Sequence, residues 1–152
     1  MTAKSAVCAA LLGAAVTASS AHADLPGAHP GLLHALTDVR SARWLVEHRP
    51  ADQAVTAHED RALQAMTAAI SDLQRAAIDD GKNLDVHPPM DAPPSRQGRL
   101  ERALNLLDAA HKDVDAAESD AAARTLRPVA LKNIDAAAAE IKAALWDVGH
   151  NR

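Results

Sequence analysis

The chain has 152 residues, 48% of them apolar, a formal net charge of −4, two tryptophans, and no phenylalanine or tyrosine. An acidic chain without a basic stripe is a poor partner for nucleic acid or for anionic membrane surfaces. A core without aromatic bulk must be filled by Leu, Ile, Val, Met and Ala, which suits closely packed helices and suits strands badly.

Residues 1–23 read as a cleaved signal peptide. Lys4 is followed by an apolar run over residues 6–18, too short to span a bilayer, and Ala21-His22-Ala23 gives an A-x-A cleavage site. The mature chain is expected to begin at Asp24 and to be periplasmic or secreted. Cys8, the only cysteine, falls inside the removed segment, so the mature chain offers no disulfide and no thiolate ligand. Residues 24–152 are the length of one ordinary domain.

Four helices follow in order. The first begins at Pro30 and runs to about His48, where Arg49-Pro50 stops it, with Leu32, Leu36, Val39 and Val46 on one stripe. Asp52 is the expected N-cap of the second, whose inner face carries Val55, Ala62, Met66, Ala69, Leu73 and Ala77 before Gly81 ends it. After a proline-rich loop, Ser95 caps a third helix with Leu100, Leu104, Leu107, His111 and Val114 inward. Thr125 would cap the fourth and leave Pro128 in its first turn; a start near Asp120 is the competing reading. Its inner face is Ala130, Ile134, Ala137, Ile141 and Leu145, and Gly149 closes it. Short connections make neighbouring helices antiparallel, so the expected fold is all-α, an up-down-up-down four-helix bundle.

That topology would gather His29, Asp79, Asp80, Asp85, His87, Asp91 and His150 at one end of the bundle. Asp79-Asp80 stands just before Gly81, where a helix C-terminus carries partial negative charge and acids are unfavourable. Asp79, Asp80, His87, Asp91 and His29 are therefore the candidate ligand or partner site. Carboxylates alone suit Ca²⁺ or Mg²⁺, and His87 would add a preference for Zn²⁺, Cu²⁺ or Ni²⁺, although the spacing is not that of a calcium loop. Toward the other end, Arg43, Glu59 and His111 fall near the centres of their apolar stripes, which suggests a buried polar layer that fixes register. His58-Glu59 starts the H-E-x-x-H zinc motif, but Ala62 occupies the second histidine position. His34 and Asp38, four apart, point outward as a surface pair.

No activated nucleophile, phosphate loop or paired catalytic carboxylates stand out, so the expected role is binding without catalysis. The partner would be a protein or small ligand, with no nucleic acid, no stable membrane insertion and no cofactor. A divalent-metal binder is the alternative. A b-type haem bundle fits less well, because helix 1 offers no methionine and His34 faces outward.

The segments HPGLLHALTDVR (29–40) and IDDGKNLDVHPPMD (78–91) resemble those of a group of small exported bacterial proteins, helical bundles without an assigned activity. The resemblance implies an exported all-helical domain and points to the same two segments, with no mechanism attached.

Overall fold

Small and large apolar residues alternate at spacings of three and four along every helix. In α1 (Pro30–Glu47) they are Leu32, Ala35, Val39, Ala42 and Val46; in α2 (Ala57–Ala76), Ala62, Met66, Ala69, Leu73 and Ala76. In α3 (Arg96–Ala116) they are Leu100, Ala103, Leu107, Ala110 and Val114; in α4 (Ala121–Gly149), Ala130, Ile134, Ala137, Ile141 and Ala144. All are buried in one cluster. A three-then-four spacing sums to a heptad, so each set lies along one seam. The alanines let backbones approach closely, and the residues between them fill the space this leaves. The computed structural model describes residues 30–49, 54–76, 91–117 and 121–150, and among them every regular element is helical.

The helix starts are fixed by side chains. Ser95 caps α3 as the sequence suggests, its hydroxyl accepting from the Gly98 amide at 3.0 Å. The start of α2 differs: Thr56, not Asp52, is the cap. The Thr56 hydroxyl accepts from the Glu59 amide at 3.3 Å, and the Glu59 carboxylate accepts from the Thr56 amide at 2.8 Å. This reciprocal capping box satisfies two amides at once, which a lone Asp52 could not do. Val55 consequently precedes the helix and is exposed rather than inward. Helix α4 starts at Ala121, in line with the earlier of the two expected starts, and keeps Pro128 inside it. Strong helix formers before the proline continue the helix, and Arg127 ties this turn to the end of α3 through the carbonyl and carboxylate of Asp115.

Helix pairing corrects the expected topology. The pairs in extensive contact are α1–α2, α1–α3, α2–α4 and α3–α4, so α2 and α3 sit at opposite corners. Arg96, in the first turn of α3, meets Glu59, in the first turn of α2, so these two helices start at the same end. Gly31, at the start of α1, packs against Asp113 and Ala117 at the end of α3. His58 at the start of α2 meets Glu140 and Asp147 late in α4. The bundle therefore runs up-down-down-up, not up-down-up-down. Every extensively packed pair is antiparallel, and the two parallel pairs, α1 with α4 and α2 with α3, are diagonal. The connection from α2 to α3 joins opposite ends of the bundle. At full extension it reaches roughly 60 Å, ample for the ~30 Å length of a 20-residue helix. Among the described residues, no helix is long and apolar enough to cross a membrane.

Candidate functional site

Asp79, Asp80, His87 and His29 lie outside the described residues. Asp91 is exposed beside the start of α3, its backbone carbonyl accepting from Arg102 Nη1 at 2.9 Å. The topology puts it at the opposite end of the bundle from Pro30 and Ala76, the described residues nearest His29 and Asp79. His150 likewise falls at the end opposite Pro30. Among the described residues, no three or more His, Cys, Asp or Glu side chains converge to hold a metal.

Arg43, Glu59 and His111 do not form a layer. With α3 running parallel to α2, His111 stands toward the end opposite Glu59, where its Nδ1 meets Asp135 Oδ1 at 2.8 Å on the half-exposed rim of α3 and α4. Arg43 turns along its own helix to Glu47 at 2.8 Å. Only Glu59 is buried, at 3% exposure. Its two oxygens accept from Arg96 Nε at 3.0 Å and Nη2 at 2.8 Å, and the Thr56 hydroxyl adds a bond of 3.0 Å. Burial alone would push this carboxyl up, but the bonds from Arg96 and Thr56 outweigh it and hold it below the usual range.

His34 is exposed, as its position on α1 suggests, while Asp38 is half-buried. Burial, and then the nearby Asp113 of α3, push the Asp38 carboxyl up, with His34 opposing them.

One end of the bundle carries features the sequence reading passed over. Trp44 stacks on His48, with ring centres 4.2 Å apart, and Trp146 stacks on His150 at 4.1 Å. Each histidine Nδ1 also lies within hydrogen-bond reach of the tryptophan carbonyl one turn back, at 3.1 and 2.7 Å. Because α1 and α4 run parallel, both stacks stand at the same end. The chain's only two Phe, Tyr or Trp residues are thus together at one pole, and Trp146 is 49% exposed. The signal was present as W-x-x-x-H, four apart, in the last turns of two helices, a spacing that brings rings face to face. A histidine there also suits the negative end of the helix dipole.

Beside Trp146, α2 and α4 are clasped together. His58 Nδ1 lies 2.6 Å from Glu140 Oε2, Arg61 Nε donates to Glu140 Oε1 at 2.9 Å, and His58 Nε2 is 3.9 Å from Asp147. The Arg61 bond, and then that of His58, hold the Glu140 carboxyl below the usual range. His58 Nδ1 also lies 2.8 Å from Arg61 Nη2, so His58, Arg61, Glu140 and Asp147 form one polar cluster that joins the two helices. This end of the bundle thus carries the exposed indole of Trp146 and the partly exposed side chains of His58 and Arg61. Comparison with known protein families, with curated proteins and with solved structures gives no match for this chain.

Proposed function

We propose that this protein is an exported binding protein without catalytic activity, and that it engages a protein or small-ligand partner through the end carrying the two Trp–His stacks. The observation that carries the reading is the position of Trp146. It is half exposed in a chain whose buried apolar positions are filled by aliphatic side chains and alanine. Exposed tryptophan is a residue type enriched among interface anchors, since a large rigid ring adds contact area at small entropic cost. The A-x-A site after the apolar leader supports export.

A photo-reactive amino acid placed at position 146, and separately at position 129, tests this in the producing cell. Val129 is also exposed but lies toward the other end of α4. Specific adducts at 146 and none at 129 support the proposal; equal labelling, or none at 146, overturns it. Mass spectrometry of the accumulated chain should give Asp24 as its first residue, and a retained leader would remove export from the reading.

A further inference from the structure

The two halves of the bundle share one pattern of buried positions. One ungapped shift, the one that carries Leu32 onto Leu100, also carries Ala35 onto Ala103, Ala42 onto Ala110 and Val46 onto Val114. The same shift, unchanged across the connection, carries Ala62 onto Ala130, Ala69 onto Ala137 and Ala76 onto Ala144, with Met66 falling on Ile134 and Leu73 on Ile141. All of these positions are buried. Hairpin α1–α2 thus repeats as hairpin α3–α4, helix for helix and layer for layer.

The packing has the symmetry such a repeat would produce. Across the boundary between hairpins, α1 lies antiparallel to its counterpart α3, and α2 to its counterpart α4. These two pairs make the most extensive helix contacts in the bundle. A helix packed antiparallel on its own equivalent is the arrangement of an isologous two-fold interface. Asp72 and Glu140 occupy equivalent positions, and each reaches across to the other hairpin, although to partners that are not equivalent: Asp72 Oδ2 accepts from Asn133 at 2.8 Å, and Glu140 pairs with His58 and Arg61.

We propose that this interface accepts a second copy of the chain: two molecules pair by exchanging hairpins, with α3–α4 of one seated on α1–α2 of the other. The exchanged contacts are the ones each monomer already makes, so no new surface is required. The tether between hairpins favours the closed monomer up to an effective concentration on the order of millimolar, above which exchange between chains wins. The proposal is independent of what the tryptophan end binds.

Two full-length variants, both carrying Cys8→Ser, test it: one with His58→Cys, the other with Glu140→Cys. They are unfolded together, refolded at roughly millimolar chain concentration, and treated with a short bifunctional thiol reagent. Exchange predicts a covalent dimer that neither variant gives when refolded alone. A chain with both cysteines, refolded dilute, should link within itself and proves that the positions meet. The unsubstituted chain, refolded at the same high concentration, should show a dimer by native mass spectrometry. Linking within the double variant without linking between chains, or an unsubstituted chain that stays monomeric, overturns the proposal.

Discussion

Glu59 and Arg96 are 37 residues apart in sequence, and their side chains form a two-pronged ion pair with bonds of 3.0 and 2.8 Å. Because each residue sits in the first turn of its helix, this contact sets two diagonal helices running in the same direction. The same carboxylate closes the capping box of α2. One buried acid therefore stabilises a helix start and specifies how the bundle is threaded.

Removing Arg96 would leave that acid buried and uncompensated. Arg96→Ala is expected to cost about 3 kcal/mol at pH 7, the low end for breaking a buried pair, since the arginine is itself partly exposed. The folded-state carboxyl of Glu59 lies below its ordinary value of 4.5, so its contribution is present above that pH and is lost as pH falls through the depressed value. Urea titrations at pH 7 and pH 3 should show the difference between wild type and variant shrinking with acid. A constant difference would mean that Arg96 acts through packing alone.

Asp38 should behave in the opposite sense. Its carboxyl is raised above 3.8 by burial and by Asp113, so folding favours the protonated form, and stability is lost as pH rises through the raised value. Asp38→Asn is expected to stabilise the protein at pH 7, by a few tenths of a kcal/mol at this partly exposed site, and to do nothing at pH 3. The gain should shrink when Asp113 is also changed to Asn. A loss of stability at pH 7 would show that the attraction of His34 outweighs burial and the repulsion from Asp113.

Much of the fold was legible because apolar spacing reports the buried face directly. Leu32, Leu36, Val39, Met66, Leu107, Ile134 and Ile141 are inward where the spacing places them. The threading was not legible, because a connection as long as that between α2 and α3 can either stay at one end or run the length of the bundle. Spacing within a helix carries no information on that choice. The reversed direction of α3 also undoes the Arg43–Glu59–His111 layer, because it carries His111 to the far end, and the reversal of α3 and α4 separates Asp91 and His150 from the end nearest His29. The capping box Thr56-x-x-Glu59 was readable but was masked by the earlier Asp52. The acids at Asp79-Asp80 look less isolated once the repeat is recognised, since the shift that maps Leu32 onto Leu100 carries Asp79 onto Asp147 and Gly81 onto Gly149. In the second half that acid stands in the last turn of α4, two residues before its end, and faces His58 of α2.

Gly98 and Ser95 should be coupled. A Cβ at position 98 would come within 2.9 Å of the Ser95 hydroxyl oxygen that caps α3. Gly98→Ala gains roughly 0.8–1 kcal/mol of helix propensity but displaces a cap worth about 1 kcal/mol. Alone it should be close to neutral. With Ser95→Ala already present there is no cap left to lose, and the same change should stabilise by about 1 kcal/mol. Thermal melts of the four proteins in this cycle check it, and simple additivity would show that Pro93, which a Cβ at position 98 would approach to 3.1 Å, dominates the site.

The two tryptophans make the proposed contact end directly observable. No tyrosine or phenylalanine contributes to the emission, and both indoles are at that end of the bundle. Trp146 is 49% exposed and Trp44 is more enclosed, so acrylamide should quench Trp44→Phe, which retains Trp146, more steeply than Trp146→Phe. Each histidine covers one face of its indole at about 4 Å. His150→Ala should therefore raise the quenching of Trp146 further and leave that of Trp44 unchanged, while His48→Ala should do the reverse. Such i,i+4 stacks contribute about 0.2–0.5 kcal/mol, so neither change should move the melting temperature by more than a degree or two. A partner that binds at this end should protect Trp146 from acrylamide in proportion to occupancy. Full occupancy with unchanged quenching would place the contact elsewhere on the bundle.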